Sequence, residues 1–226
     1  MIHVLLTSGV LMLVGPQDRT HESLPRLHPG ARYGISAGLG VDYLSAPDLA
    51  NLVNATAGAS ERVSDFKAMA EFFGAVTIPL SDEWLLKLDY GYLLGSYSMP
   101  SAYGLTDYAL QVHMPTALLQ YVLADEGIYN VVAGAGAGLH VGRLTTTYYS
   151  LEQSYTAVGP ALMASLEGNT AFGEHLFAHF GLLLRLEMLG SLTDSGGQAP
   201  WGSAYGTSTS LSMAGVGVRL GMTYYF

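Results

Sequence analysis

The residues best equipped for chemistry are His113, His140 and His179, the hydroxyls of Ser165 and Ser212, and the carboxylates Glu167 and Glu187. Nucleophilic catalysis would need one of those hydroxyls within hydrogen-bond reach of an imidazole that is itself oriented by an acid. The spacing of these residues along the chain shows no such motif, and no catalytic residue is expected. Three of the seven His (His3, His21 and His28) lie near the N-terminus, and no metal or cofactor site is expected. With no Cys there is no thiolate ligand, no disulfide and no Cys nucleophile. The remaining chemistry is charge. Nine basic residues stand against 18 acidic ones, a net charge of −9 with no basic stripe, which excludes a nucleic-acid partner.

The elements that must position these residues follow from parity, because successive side chains of a strand point to opposite faces. Eight segments alternate in this way: 32–44, 65–80, 84–98, 107–123, 129–144, 157–172, 175–190 and 208–226. In the first, Tyr33, Ile35, Ala37, Leu39, Val41 and Tyr43 oppose Arg32, Gly34, Ser36, Gly38, Gly40 and Asp42. In the fourth, Tyr108, Leu110, Val112 and Met114 oppose Asp107, Gln111 and His113, which with His140 and His179 places all three His on the polar face. Arg143 falls on the apolar face, which predicts a bulge or the exit of its strand from the apolar zone. Short connections at 80–83, 124–127 and 173–174 alternate with long polar ones at 45–64, 98–106, 145–156 and 191–207. Short on one rim and long on the other is the mark of an up-and-down meander closed into a transmembrane barrel.

Composition decides which face looks outward. The chain is 50% hydrophobic but only 12% charged, with 28 Gly; a soluble domain carries about 25% charged residues. No apolar run reaches the roughly 18 residues that a spanning helix needs. The polar face is rich in Gly, Ser and Ala with isolated charges, which suits the narrow interior of an eight-stranded barrel better than a wet surface. Arg32, Lys67, Lys87, Arg185 and Arg219 share that face with Asp65, Glu71, Asp89, Glu167 and Glu187. Charges withdrawn from water must be paired, so a lumen network of Arg32, Lys67, Glu71, Lys87, Asp89, Glu167, Arg185, Glu187 and Arg219 is expected. The apolar face then meets lipid, where only a closed sheet leaves no backbone group unpaired. Tyr33, Tyr43, Trp84, Tyr108, Tyr129, Tyr224 and Phe226, near strand ends, are expected to form the interfacial aromatic girdles. Phe73, Leu93, Leu119, Phe177, Leu183 and Leu189 are expected on the lumen side, as interior packing or as the lining of a narrow conduit for small or hydrophobic solutes.

With its eight strands and a last strand ending in Val218, Leu220, Met222, Tyr224 and Phe226 at alternate positions, the chain resembles the small eight-stranded outer-membrane β-barrels of Gram-negative bacteria, the group of the OmpA transmembrane domain, OmpX and OmpW. The resemblance covers residues 31–226 as architecture. It implies an all-β, eight-stranded antiparallel up-and-down barrel in the outer membrane, with both termini periplasmic. It also implies outer-membrane lipids, periplasmic chaperones and the barrel-assembly machinery as partners, the last recognising Phe226, Tyr224, Met222 and Leu220. The His-x-Ser arrangement of the lipid A deacylase barrels has no counterpart here, so a lipid-modifying enzyme is the least favoured reading.

Ahead of the barrel, residues 1–15 read as the remnant of an export signal or a hydrophobic arm, although no Lys or Arg precedes them. Residues 16–30 read as a periplasmic linker. A structural or a surface-interaction role is expected, with any specific activity in the connections 45–64, 145–156 and 191–207, the last with Pro200, Trp201 and Tyr205. The 145–156 hairpin is expected to present an exposed strand edge to a surface partner.

Overall fold

The computed structural model of the protein describes residues 32–56, 62–64, 66–101, 104–200 and 208–226. The expectations for the N-terminal arm and linker, for Asp65, and for Trp201 and Tyr205 lie outside these residues. Eight strands form a closed barrel in sequence order: β1 (Gly34–Ser45), β2 (Phe66–Pro79), β3 (Trp84–Ser101), β4 (Gly104–Asp125), β5 (Tyr129–Tyr148), β6 (Leu151–Ala171), β7 (Leu176–Ser191) and β8 (Ser210–Tyr225). All pairs are antiparallel, and β1 closes on β8 in an unbroken register from Gly34↔Tyr225 to Ser45↔Ala214. The alternation in the sequence is the cause: one face of each strand can be buried only if the register keeps its parity.

The short turns are chemically defined. Ser81 Oγ accepts the backbone N–H of Trp84 at 3.1 Å in the β2–β3 turn, and Gly127 (φ 78°) carries the left-handed residue of the β4–β5 turn. At the opposite rim the expected long connections differ in kind. The 98–106 and 145–156 segments continue as ladder, Ser98↔Asp107 to Ser101↔Gly104 in one and Leu144↔Tyr155 to Tyr148↔Leu151 in the other. The four strands β3 to β6 therefore rise above the rest of the barrel as one sheet. The 45–64 connection contains a helix, α1 (Pro47–Thr56), which the alternation of the strands did not predict. Its signals are local: Pro47 at the first helical position, Asp48 in the first turn, and Leu49, Leu52 and Val53 on one side. Leu49, Ala50, Leu52 and Val53 are all buried.

Two cores divide the lumen by height. Toward the long rim, Leu44, Met69, Leu93, Tyr97, Tyr108, Leu110, Leu144, Leu189, Leu211 and Met213 pack beneath α1 in one apolar cluster. Lower down the interior is polar and charged. Bulges interrupt the ladder at Val122/Ala124 and Leu189/Ser191; none falls at Arg143, which is exposed and simply leaves the apolar zone.

Strand β4 corrects the sequence reading. Tyr108, Leu110, Val112 and Met114 face the interior, and Asp107, Gln111 and His113 face outward. The reason is height. From Asp107 to Gln111 β4 lies in the raised sheet, where the outer face is polar and the inner face meets the apolar cluster, opposite to the lipid band; Val112, His113 and Met114, level with Glu71, Phe72 and Phe73 of β2, continue the same parity at its foot. Lower on the same strand, Leu119 is 47% exposed, on the lipid side instead of in the lumen.

Candidate functional site

Adjacent strands bring the lumen charges together at one level. Arg219 on β8 donates to both carboxylates within reach: Nε to Glu71 Oε2 at 2.9 Å and Nη2 to Glu71 Oε1 at 2.7 Å, with Nη1 and Nη2 to Asp89 at 2.7 and 2.9 Å. Its guanidinium lies over the Phe73 ring, 4.5 Å from the centroid. Arg185 on β7 donates to Glu71 and holds Asp42 Oδ1 3.1 Å from its Nε. Lys87 donates twice to Glu167, at 2.8 and 2.9 Å. Each of these charged groups is buried. In so little dielectric screening, close bidentate geometry is what keeps such ions tolerable. The glycines of the lumen face make the room: a Cβ at Gly217 would lie 2.1 Å from Asp42 Oδ1, and one at Gly91 would lie 2.6 Å from Glu71 Oε1.

Of the nine residues expected in the network, Glu71, Asp89, Arg185 and Arg219 share one cluster, while Lys87 with Glu167 and Glu187 with His140 form separate buried pairs. Lys67 points inward but sits near the long rim, its Nζ 3.7 Å from the centroid of the Tyr97 ring. Arg32 lies in the bend before β1 and makes no ion pair with a described residue. Both lie outside the cluster because their strands carry them to opposite ends of the barrel. Asp42 and His140 were not foreseen as members, although parity alone put both on the lumen face.

The His residues divide the same way. His140 Nδ1 meets Glu187 Oε2 at 2.5 Å and its Nε2 meets Thr116 Oγ1 at 2.9 Å. Hydroxyl, imidazole and carboxylate thus stand in the order of a nucleophilic triad. Thr116 is nevertheless buried, and a methyl group on Gly138 would already lie 2.7 Å from His140 Nε2. The chain is packed into the barrel wall with no substrate space beside the hydroxyl. His179 bonds Asn169 Oδ1 through Nδ1 at 2.9 Å, and Asn169 donates to Asn130 at 2.8 Å. His175, four residues before His179, instead binds the Tyr225 carbonyl at 2.9 Å. His113, expected in the lumen, is outside, its Nδ1 2.6 Å from Tyr90 Oη. Ser165 is buried near Glu167 on the same strand face, while Ser212 lies on the outer side of β8 and half-buried. Among the described residues no group of three His, Asp or Glu could hold a metal ion.

Apolar lumen residues are packed as well. Phe177 stacks edge-on against Tyr225 at 5.1 Å, Leu183 joins Leu118 and Met163, and Leu93 and Leu189 belong to the cluster under α1. Outside, Tyr33, Trp84, Tyr129, Tyr224 and Phe226 project from the short-turn rim, and Tyr43 from β1 near the other end. Tyr108, expected among them, is 2% exposed and interior, a consequence of the inverted polarity of upper β4.

A greasy outer wall, a ring of eight antiparallel strands and a closed charged interior belong together in one kind of molecule. The fold is that of the small eight-stranded outer-membrane barrels. Ail, the attachment invasion locus protein of Yersinia pestis, superposes with a TM-score of 0.54 at 12% identity, over 86% of this chain and 98% of that one. OprG, an outer membrane protein of Pseudomonas aeruginosa, gives 0.52 at 13% identity, over 86% and 95%. Neisserial surface protein A gives 0.51 at 14% identity, over 86% and 97%. No family model matches the sequence, and no curated protein matches it either. The likeness is one of fold.

A cleft opens away from the lumen, at the raised sheet. About 850 Å³ opens on the outside of the raised sheet, between β6 and the segment after β7, lined by Arg143, Glu152, Ser154, Thr156, Thr193 and Asp194 among others.

Proposed function

We propose that this protein resides in a bacterial outer membrane with its long rim outside the cell, and that it acts by binding at that surface, without catalysis or conduction. The observation that carries the reading is the contrast between a filled interior and a raised, open-edged sheet. The lumen holds buried paired charges at one level and the apolar cluster under α1 at another, which supports a reading with no solute path and no substrate site there. Above it, β3 to β6 present polar side chains, free strand edges and the cleft. Loops and hairpins on a rigid barrel are where such proteins place recognition. Ail, which shares the fold, is an attachment invasion locus protein by name.

Orientation is tested with single cysteines, since the chain has none. Ser150→Cys at the β5–β6 tip should react with an impermeant maleimide on intact cells, and Glu126→Cys at the opposite rim only after lysis. Function is tested by cutting the β3–β4 and β5–β6 hairpins back to the level of the other strands. Wild-type cells should bind members of a panel of purified host-surface and serum proteins, and the shortened variant should not. Equal binding by the two, solute uptake by liposomes carrying the protein, or a change in lipid A mass would each overturn the reading.

A further inference from the structure

Val158, on the outer side of β6, is 50% exposed toward lipid, and the next outward residue above it is Thr156. Both line the cleft, together with Arg143, Glu152 and Asp194. Across the ladder Arg143 pairs with Thr156, and Val141, one outward position lower, pairs with Val158. The cleft therefore opens where the lipid band gives way to the raised sheet.

The charges in the cleft have opposite signs and do not meet. Arg143 donates from Nη2 to Ser154 Oγ at 3.1 Å, which leans its guanidinium upward along β6. Asp194 is fixed by its own turn, in which Oδ1 accepts the N–H groups of Gly196 and Gln198, each at 2.8 Å. That turn is anchored to β6 by the bridge in which Thr156 N–H donates to the Thr193 carbonyl at 2.8 Å and Thr193 N–H donates back at 3.1 Å. Glu152 stands two residues beyond Ser154 on the same face of the strand, about 7 Å along it. Among the described residues neither carboxylate forms an ion pair with Arg143. One cation and two anions are thus held at separate points of a single cleft. A purely anionic occupant would lie against Glu152 and Asp194 uncompensated, and a purely cationic one against Arg143. A zwitterion whose two charges are a few bonds apart satisfies both.

We propose that the cleft holds a phosphoethanolamine headgroup, carried by a lipid of the same membrane. The phosphate lies on the Arg143 guanidinium, whose fork suits two of its oxygens, with the Thr156 hydroxyl beside it. The ammonium reaches Glu152 and the Asp194 oxygen that the turn leaves over, and the lipid chains run down over Val158. Two methylenes, with a charge-assisted hydrogen bond of about 2.8 Å at each end, span the distance from Ser154 to Glu152. The primary amine is specified as well. A trimethylammonium has no N–H to give a carboxylate and is held by aromatic rings instead. Among the described residues no aromatic side chain lines the cleft. This site stands on the position of the cleft at the lipid edge and goes beyond the binding of proteins by the hairpins.

The full-length protein is placed in nanodiscs of equal parts phosphatidylethanolamine, phosphatidylcholine and phosphatidylglycerol, and native mass spectrometry reads which lipid stays bound. Wild type should retain phosphatidylethanolamine about tenfold over either of the others. Arg143→Gln should lose that preference. Glu152→Gln/Asp194→Asn, in which the Asn still offers Oδ1 to the turn, should shift the preference to phosphatidylglycerol, because only the cation remains. Heat-modifiable gel mobility confirms that every variant is folded. A soluble arm separates the sources: glycerophosphoethanolamine is titrated into the protein held in phosphatidylcholine nanodiscs. Binding of that compound, abolished by Arg143→Gln and without any lipid preference, would overturn the membrane source and keep the chemistry. Equal retention of the three lipids with no soluble binding, or a phosphatidylethanolamine preference that both variants leave unchanged, overturns the proposal. The hairpins take no part in this readout, so loss of the surface-binding reading and loss of the lipid site are told apart.

Discussion

Arg219 is the residue on which most of the lumen chemistry converges. It neutralises two carboxylates at once, through four hydrogen bonds of 2.7 to 2.9 Å. Removing one member of a buried ion cluster leaves the others uncompensated and costs about 3–5 kcal/mol, whereas removing both sides of a pair is often nearly neutral. Arg219→Leu should therefore lower the urea midpoint of the detergent-solubilised barrel strongly. Adding Glu71→Gln and Asp89→Asn to that variant should recover part of the loss. A triple variant no more stable than Arg219→Leu would show that the carboxylates are not left stranded. This chemistry was readable in advance only as parity. Arg219, Glu71 and Asp89 each fall on the Gly-rich face of their strands, but parity does not say how far along the barrel a residue sits. That is why Lys67 and Arg32 are expected in the cluster, and why Asp42, and Thr116 and His140 as the partners of Glu187, are not.

At the scale of the element, α1 and the lipid-facing strands bury leucine for different reasons. Leu49 is 1% exposed, seated over the apolar cluster, while Leu39 on β1 is 58% exposed toward lipid. Leu49→Ala should leave a cavity and cost about 2–5 kcal/mol. Leu39→Ala removes the same atoms from a fluid solvent that refills the space, so it should cost only the transfer of the lost methylenes, about 1–2 kcal/mol. Equilibrium unfolding in detergent compares the two, and equal losses would show that α1 is not seated. The helix is invisible to strand parity, because by polar composition and length its segment reads as a connection. The pattern of Pro47, Asp48, Leu49, Leu52 and Val53 was present within it. The hairpins were underestimated for a related reason. Thr145, Thr146, Thr147 and Tyr148 lose hydrophobic alternation where the strand leaves lipid, yet Thr and Tyr still favour strand, so the ladder runs on to Tyr148↔Leu151.

For the whole molecule, the decisive variable is height along the barrel axis, because it sets which face of each strand is the apolar one. In the lipid band the outer wall is Leu, Val and Ala around a charged lumen. In the raised sheet the outside is Ser98, Asp107, Gln111, Arg143 and Thr145 around an apolar interior; Ser98 Oγ donates to Asp107 at 2.6 Å there. The chain therefore changes from an inside-out barrel to an outside-polar sheet within single strands, and β4 spans the change. An arginine scan of outward positions locates the boundary. Leu184→Arg, on the lipid face of β7, should cost about 2–4 kcal/mol. Ala109→Arg, outward on β4 level with Ser96 and Thr145, should cost close to nothing, since its guanidinium would reach water. Folding titrations into phospholipid vesicles read both. A large penalty at Ala109 would return upper β4 to the membrane, which would carry the cleft beside Arg143 down with it and remove the surface on which recognition is proposed to occur.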